Sequence, residues 1–339
     1  MRIIVLILLV VISFCRVANS SQKHLPTLPH EMDIIRGMQV IDQGKWSVGQ
    51  AIMAQAAGSL SGRTFFWLKY SSDNGHEGTN WYRISRFIKS HENWPDIYSM
   101  KENAEKVMPA NLAHSDVIRW FEKFSPVTEL GRNKYLRALE TSGQKERLIK
   151  EISNIWTGTL FGDTEQKALI SKYKPYLSKK LHKQRFNFLL ANSYYDTAIS
   201  LSSYIGDGEK RLAIAAKTLS KSKKNVTPLI NAFPKSLQSH SALLFERMKW
   251  RHKKNLNDGA IEILNKSPSM KEWMVEYKWW KERHIIIRRL IEDMNYAEAY
   301  ELASHHKQKE GLGLTEAEFL SGWLALRFLN KPHQAYQNF

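Results

Sequence analysis

The longest regular pattern in the sequence lies in residues 271–292, which read KEWMVEYKWWKERHIIIRRLIE. Large side chains recur there at spacings of three and four residues, namely Trp273, Tyr277, Trp280, His284, Ile287 and Ile291. This spacing matches one face of an α-helix, which has about 3.6 residues per turn. The segment therefore predicts a long helix with one buried face.

The same helical period recurs along the chain, whereas the alternation typical of strands is almost absent. Residues 115–124 place Val117, Ile118 and Phe121 on one stripe, and Pro126 follows as a helix breaker. Glycines and prolines divide the remaining sequence into segments long enough for one or two short helices. The sequence therefore predicts an all-α protein of short antiparallel helices.

Short internal repeats favour a stack of helix hairpins. Residues 295–300 (NYAEAY) and 331–336 (KPHQAY) each place an Ala-Tyr pair after a polar turn, and residues 257–261 (NDGAI) are a looser relative. Residues 42–46 (DQGKW) are an earlier turn of the same kind. Repeats of ~34 to 40 residues with a small side chain at a helix crossing are typical of α-solenoids. A helix bundle is the alternative, because alanines also occur at its helix crossings.

The first twenty residues predict an export signal. A positively charged start precedes an apolar run over residues 3–14, and small side chains before the end of the segment predict signal-peptide cleavage after Ser20. The run is shorter than the ~20 residues of a membrane-spanning helix, so a permanent membrane anchor is the weaker interpretation. The chain's one cysteine, Cys15, lies in this segment, and a cysteine-free mature chain suits a bacterial periplasm. We expect one helical domain over residues 21–339.

The composition is strongly basic. The chain has 50 Lys+Arg, 33 Asp+Glu and a formal net charge of +17, and 43% of its residues are hydrophobic. This hydrophobic content is enough for a packed core and excludes a disordered polyelectrolyte. Basic clusters at residues 179–180, 221–224, 249–254 and 281–289 lie among aromatics, which is typical of contact with an anionic polymer. Because an exported protein rarely meets nucleic acid, a periplasmic polymer is the favoured partner, and solvated helix faces are the alternative.

No motif for catalysis, cofactor binding or metal binding is found in the sequence. His91 and Glu92 begin like a zinc-protease helix, but Pro95 stands where the second histidine ligand belongs. His305 and His306 are adjacent, so their rings are expected to point to different faces of a helix. Phosphate loops and nucleophile elbows are also absent.

Isolated carboxylates offer no better candidate for catalysis. Glu122 and Glu246 lie in charged helical surroundings, so we predict that both are solvated surface groups. The sequence therefore predicts no catalytic residue, no cofactor and no metal ligand.

Several segments resemble a known family. Residues 87–95 (FIKSHENWP), followed by Ala104 and Glu105, resemble the helix end and Trp-Pro turn near the start of soluble lytic murein transglycosylases. Later segments are similar to the same proteins in the same order, namely residues 117–121 (VIRWF), 243–250 (LLFERMKW), 280–283 (WKER), 295–303 (NYAEAYELA) and 322–329 (GWLALRFL), with Ala335 and Phe339. The similarity extends over essentially the whole chain after the leader.

This resemblance implies a right-handed, U-shaped α-superhelix of TPR-like hairpins in the periplasm. The family cleaves the bond between N-acetylmuramic acid and N-acetylglucosamine in peptidoglycan without water and leaves a 1,6-anhydro end. Peptidoglycan glycan strands are therefore the implied partner, and no nucleic acid is expected.

The sequence departs from the family where catalysis takes place. The family's lysozyme-like domain carries a Glu-Ser pair and a Gly-Leu-Met-Gln segment, and both are missing here. Residues 154–158 (NIWTG) imitate a third catalytic segment, but the Tyr-Leu pair that should follow is absent, so we interpret the match as coincidence. No catalytic residue is carried over. We expect a chain that is inactive alone and positions glycan for a catalytic domain that is either encoded separately or lost.

Two other functions remain open. The chain could be an autonomous periplasmic adaptor that binds partner proteins, or an enzyme with an unrecognised site.

The C-terminal end is expected to be open. A helix over residues 315–329 should pack on a partner that begins at Pro332, with Tyr336 and Phe339 left unpaired. A solenoid normally ends in a polar-faced capping repeat, so we expect a truncated domain with an adhesive C-terminal edge.

Overall fold

The computed structural model describes residues 31–53, 58–221, 226–231, 233–266 and 273–339. Over these ranges the chain forms α-helices joined by turns and short 3-10 segments, and they contain no strand. The all-α prediction is confirmed. The predicted leader with Ser20 lies outside the described residues, as do residues 222–225, which include most of one predicted basic cluster.

The chain divides into two compact units, Met1–Leu148 and Ile149–Phe339. The first contains α1 (Glu31–Asp42), α2 (Trp46–Met53), α3 (Leu60–Ser71), α4 (Trp81–Ser90), α5 (Ile97–Val107), α6 (His114–Lys123), α7 (Glu129–Thr141) and the start of α8 (Lys145–Gly158). The second continues with α9 (Asp163–Tyr173), α10 (Lys179–Ala191), α11 (Tyr195–Leu201), α12 (Asp207–Ser220), α13 (Val226–Asn231), α14 (Lys235–Gln238), α15 (Ser241–Lys253), α16 (Asn257–Lys266), α17 (Trp273–Glu292), α18 (Tyr296–Ser304), α19 (Gly311–Arg327) and α20 (Pro332–Asn338). The single domain over residues 21–339 stays a prediction. Among the described helices, none is both long enough and apolar enough to cross a membrane.

Helices of the first unit form two alternating layers. α1 packs on α3, α3 on α5, and α5 on α7, while α4 packs against α5 and α6 against α7. Their apolar faces bury large side chains completely, including Phe65, Ile84, Met100 and Leu136. Each helix thus covers the hydrophobic face of its neighbours, which is the packing of an α-solenoid.

The second unit repeats this arrangement in its C-terminal part. α15, α17 and α19 form one layer, and α16 and α18 pack against each other beside it. The shared core includes Met248, Leu264, Trp280, Ile287 and Leu324. The helical stripe predicted in residues 271–292 is therefore confirmed where the structure describes it, with Trp280 and Ile287 in the core.

The predicted repeat turns lie between consecutive helices. α1 ends at Asp42 and α2 begins at Trp46, while α16, α18 and α20 begin within or at the three repeat segments of the sequence. The repeated alanines Ala260 and Ala299 are 0% exposed and Ala335 is 2% exposed. Small side chains at these positions allow neighbouring helices to approach closely, as the repeats predict.

One turn geometry recurs in the described hairpins. Two residues before the start of α2, α8, α11, α16, α18 and α20, the backbone has a positive φ, at Gly44, Gly143, Ser193, Asn255, Met294 and Asn330. At Asn255 the amide donates to the carbonyl of His252 (3.1 Å), and the next amide, of Leu256, donates to the carbonyl of Arg251 (3.0 Å). This pair of bonds is a Schellman motif, which satisfies carbonyls at a helix end. Only two of these positions, Gly44 and Gly143, are glycines. The other turns therefore cannot be recognised from a glycine in the sequence.

The C-terminal end of the chain differs from the sequence expectation at Phe339. A Cβ on Gly322 would lie 2.9 Å from the Phe339 ring, and the Phe339 and Phe319 ring centroids are 6.0 Å apart. Phe339 therefore has partners within the chain, and the expectation that it lies unpaired is wrong. Tyr336 is 83% exposed.

Candidate functional site

Four rings form a half-buried cluster at the turn between α4 and α5 of the first unit. We call Trp67, Phe87, His91 and Trp94 the aromatic cluster. The His91 ring stacks on Phe87, with centroids 4.2 Å apart and planes 18° apart. Trp94 meets both rings at an angle, with its centroid 4.9 Å from His91 and 6.0 Å from Phe87.

Backbone contacts hold the aromatic cluster in place. Trp67 Nε1 donates to the carbonyl of Pro95 at 2.8 Å, and His91 Nδ1 lies 2.9 Å from the carbonyl of Phe87. The Trp94 ring, in the turn, is 6.2 Å from Trp67 on α3. These contacts fix rings from three consecutive chain segments relative to one another.

What the aromatic cluster can bind depends on the exposed parts of its rings. All four rings are of intermediate exposure. Rigid aromatic side chains supply a large contact area at low conformational-entropy cost, and the apolar faces of sugar rings fit such surfaces. His91 has an aromatic environment and Glu92 pairs with Lys123. Within the described ranges, no group of three or more His, Cys, Asp and Glu side chains is arranged to hold a metal ion.

Some arginines of the predicted basic clusters in the second unit bind backbone carbonyls within the fold. Arg283 donates to the carbonyls of Leu302 and Leu264, each at 2.8 Å. Arg289 donates to the carbonyl of His252 at 2.9 Å. These carbonyls lie in the last turns of α18, α16 and α15, where helix carbonyls have no intrahelical partner.

Arg185 on α10 also donates to a carbonyl in the last turn of a helix. It is 0% exposed, donates to the carbonyl of Trp156 at 2.9 Å and to Gln166 Oε1 at 2.8 Å, and lies 3.6 Å from the centroid of the Phe161 ring. Burial lowers the pKa of Arg185 to about 9. Trp156 belongs to residues 154–158, the segment that imitates a catalytic segment of the family. These residues form the C-terminal end of α8.

The exposed cations of these clusters are fewer than the sequence suggests. In the described part of the two C-terminal clusters, the exposed members are Lys253, Lys254, Lys281 and Arg288. Surface charge on this unit is therefore smaller than the count of lysines and arginines implies.

Glu246 is buried, so the prediction of a solvated carboxylate is wrong at this position. It is 2% exposed, accepts a hydrogen bond from the Tyr195 hydroxyl at 2.8 Å and lies 3.3 Å from Lys249 Nζ. A carboxylate tolerates burial when such partners are present, and Tyr195 lies in a helix distant in sequence. Glu122 is exposed and pairs with Arg147, as expected of a surface group.

Glu282 on α17 is half-buried, with its side chain 16% exposed, and lies 2.8 Å from His252 Nε2. Burial raises the pKa of Glu282, which is a property that a general acid needs. One cavity in the described part of this unit holds about 20 Å³, little more than one water molecule. Its lining includes Ala191, Phe245, Lys278 and Trp279 but neither Glu246 nor Glu282. Glu246 therefore belongs to the packed interior, whereas Glu282 is half-buried and lies outside this cavity.

The adjacent histidines both follow the end of α18, so the prediction about helix faces does not apply, and their surroundings differ. The side chain of His305 is 68% exposed, and its Nδ1 lies 2.8 Å from the carbonyl of Glu301. The side chain of His306 is 11% exposed and lies 3.4 Å from Glu318.

We expect acidification to destabilise the second unit. Burial is the largest cause of a lowered pKa in five of its described histidines, namely His182, His240, His252, His284 and His306. The unfolded chain therefore takes up more protons than the folded chain as the pH falls through the ordinary value of 6.5, so stability decreases. Urea denaturation should give a lower free energy of unfolding at about pH 5.5 than at about pH 7.5.

The raised pKa of Glu282 has the opposite effect on stability, because the folded chain then binds the proton more readily than the unfolded chain. This effect acts at lower pH, nearer to the ordinary carboxyl pKa of 4.5. His252→Gln should reduce the difference between the two pH values, because one titrating group is removed. Equal stability at both pH values would contradict the expected effect of histidine burial.

No protein-family model matches the chain, and a search of curated proteins gave no match. The similarity to lytic transglycosylases in residues 87–95 and the later segments stays a prediction. The aromatic cluster is the described feature best suited to ligand contact, because its rings are held in place and partly exposed.

Proposed function

We propose that the chain is a non-catalytic, glycan-binding helical scaffold of the bacterial periplasm, similar to the superhelical part of soluble lytic murein transglycosylases. Its partner is the glycan strand of peptidoglycan, and a separately encoded catalytic domain performs cleavage. The aromatic cluster supports this proposal most directly, because it offers sugar rings a rigid surface. Three of its four rings, those of Phe87, His91 and Trp94, also lie in the segment where the family resemblance begins.

The carboxylates favour binding over catalysis. Protonation of a glycosidic oxygen requires a carboxylic acid that reaches the substrate. Glu246 is enclosed by the packing of the second unit, Glu282 is half-buried beside His252, and Glu122 lies on an exposed surface. None of the three carboxylates lines the described cavity of the second unit.

Charge adds a second, weaker attraction. Peptide stems of peptidoglycan carry carboxylates, and the chain has a formal net charge of +17. Exposed charges are screened beyond about 10 Å at 0.1 M salt. Charge contacts should therefore contribute at low salt, and ring contacts should persist at high salt.

Trp94→Ala is expected to lower retention on purified peptidoglycan sacculi about tenfold, because about 1.4 kcal/mol of ring contact is lost. Retention is measured by co-sedimentation over a salt series. Tyr82→Ala is the matched control, since Tyr82 lies on α4 of the same unit and is 63% exposed. Thermal unfolding of both variants establishes that the fold is kept.

Three results would contradict the proposal. Absence of retention even at low salt favours the adaptor function, in which the chain binds proteins instead of glycan. Equal retention of Trp94→Ala and Tyr82→Ala excludes the aromatic cluster as the contact. Release of anhydromuropeptides from sacculi by a clean preparation shows that the chain is itself an enzyme.

A further inference from the structure

α4 exposes three cations on a helix that contains no carboxylate. Arg83, Arg86 and Lys89 are all exposed, and the helix sequence WYRISRFIKS has neither Asp nor Glu. Successive cations are three residues apart, so the three side chains project within about 120° of the helix circumference. We call these three residues the α4 basic face.

The α4 basic face has no partner of opposite charge in the part of the chain that the structure describes. Exposed cations on three other helices each pair with a carboxylate one turn away, namely Arg119 with Asp116, Lys167 with Asp163 and Lys266 with Glu262. Ion pairs among the described residues include no member of the α4 basic face. Glu92, which follows α4 closely in sequence, pairs with Lys123 instead. The charges of α4 are therefore left for a partner outside the chain.

The three cations do not serve the stability of α4 itself. Like charges three residues apart on a helix repel each other. Arg83 also lies in the first turn, which has no acid, and there the helix dipole favours an acid over a cation. An anionic partner would remove this repulsion, whereas water only screens it.

The α4 basic face adjoins the aromatic cluster. Arg83 precedes Phe87 by four residues, so the two side chains are neighbours on the helix surface. The Phe87 ring stacks on His91 and lies 5.4 Å from the Tyr70 ring between centroids. Burial raises the pKa of Tyr70, whereas a hydrogen bond with Thr79 and the nearby charge of Arg83 lower it. Arg83 therefore lies beside the group of rings that includes the aromatic cluster.

Cations next to such rings fit a polymer that combines sugars with acidic groups. The glycan strand of peptidoglycan carries its carboxylates on peptide stems, beside the sugar rings. A guanidinium group binds a carboxylate through two parallel hydrogen bonds. Arg83 and Lys89 are about 9 Å apart along the helix axis, at ~1.5 Å per residue. The α4 basic face is therefore long enough for more than one carboxylate.

We infer that the α4 basic face binds the stem carboxylates of the glycan strand whose sugars contact the aromatic cluster. The chain thereby prefers glycan with peptide stems to glycan without them. This inference rests on the proposed glycan-binding function and adds the part of the polymer that the charges recognise. Because exposed charges carry the preference, it weakens as the salt concentration rises.

Isothermal titration calorimetry of the full chain with soluble glycan strands tests this preference. The strands are used with their stems and after an amidase has removed the stems. At low salt the natural chain should bind the stem-bearing strands about tenfold more tightly, because each exposed charge contact contributes modestly. A triple variant with Arg83→Gln, Arg86→Gln and Lys89→Gln should lose this preference and keep the natural affinity for stripped strands.

A second triple variant is the matched control. Lys174→Gln, Lys179→Gln and Lys180→Gln remove the same charge from exposed positions of the second unit. This variant should keep the preference for stem-bearing strands. Thermal unfolding establishes that both triple variants keep the fold.

Equal binding of both kinds of strand by the natural chain would overturn the inference and leave the proposed function intact. Absence of binding to either kind would contradict the proposed function itself. The inference also fails if the α4 variant keeps the preference, or if both triple variants lose it equally, since net charge alone is then responsible. Tighter binding of a phosphate polymer than of stem-bearing strands, abolished in the α4 variant, would assign the α4 basic face to a different polyanion.

Discussion

Replacing Glu105 with alanine is expected to destabilise the first unit by about 3–5 kcal/mol. Glu105 is 0% exposed. Its carboxylate accepts hydrogen bonds from the amides of Val127 (2.9 Å) and Thr128 (2.7 Å) and from the Thr128 hydroxyl (2.5 Å). Burial raises the pKa of Glu105, while these hydrogen bonds lower it. The variant leaves the donors before α7 without their acceptor.

Gly131 provides a coupling test of the same contact. A Cβ at this position would lie 2.2 Å from Glu105 Oε2. Gly131→Ala should therefore cost about 2–4 kcal/mol in the natural chain, because the carboxylate and the methyl group overlap. In the Glu105→Ala background the same substitution should cost less than about 1 kcal/mol, because the overlap is gone.

Urea denaturation and hydrogen exchange of α5 and α7 in the four proteins measure this coupling. Glu102→Ala, on the same helix, is the control and should change stability by about 1 kcal/mol or less. Additive effects of the two substitutions would show that the Glu105 carboxylate does not occupy this position.

Arg283→Met is expected to destabilise the second unit by about 2–4 kcal/mol. Arg283 is 2% exposed and joins the C-terminal ends of α16 and α18 through the carbonyls of Leu264 and Leu302. Burial lowers the pKa of Arg283 to about 10, which still leaves it charged at neutral pH. Methionine keeps the apolar contacts of the side chain but leaves both carbonyls without this donor.

Arg288→Met is the matched control for Arg283, because the exposed Arg288 lies on the same helix. It should change the free energy of unfolding by less than about 0.5 kcal/mol. Arg283→Lys, which has a single ammonium group in place of the fork, should recover part of the loss. Equal effects of Arg283→Met and Arg288→Met in urea denaturation would show that the two carbonyl contacts contribute nothing.

Local patterns predicted the helices and several of their turns. The spacing of apolar residues in 271–292 predicted the buried positions of Trp280 and Ile287, and the repeated alanines predicted close helix crossings. Ser193 and Met294 give no comparable signal, although both adopt the left-handed conformation of a Schellman turn. Glycine identifies such a turn because it lacks a Cβ, whereas Ser193 and Met294 adopt it under the constraint of the helices on both sides.

Side-chain partners were harder to predict than helices. Composition alone suggests that Arg185 and Arg283 are surface charges. In the structure each is buried and donates to backbone carbonyls. Any residue carries a carbonyl, so no sequence motif marks the partner. Glu246 was missed for a related reason, since its partner Tyr195 lies far away in the sequence. Phe87, His91 and Trp94 of the aromatic cluster lie in residues 87–95, which the family resemblance had singled out. Trp67 was not predicted, because only the packing of α3 brings it to these rings.

The sequence by itself determined the all-α class, the hairpin repeats and the basic composition of this protein. These properties depend on the period of a helix and on residue counts, which are local quantities. Tertiary structure alone decided which charges are buried, which rings form the aromatic cluster and which side of α19 exposes its apolar residues. Those outcomes depend on which helices meet, and contacts between residues distant in sequence leave no regular spacing along the chain.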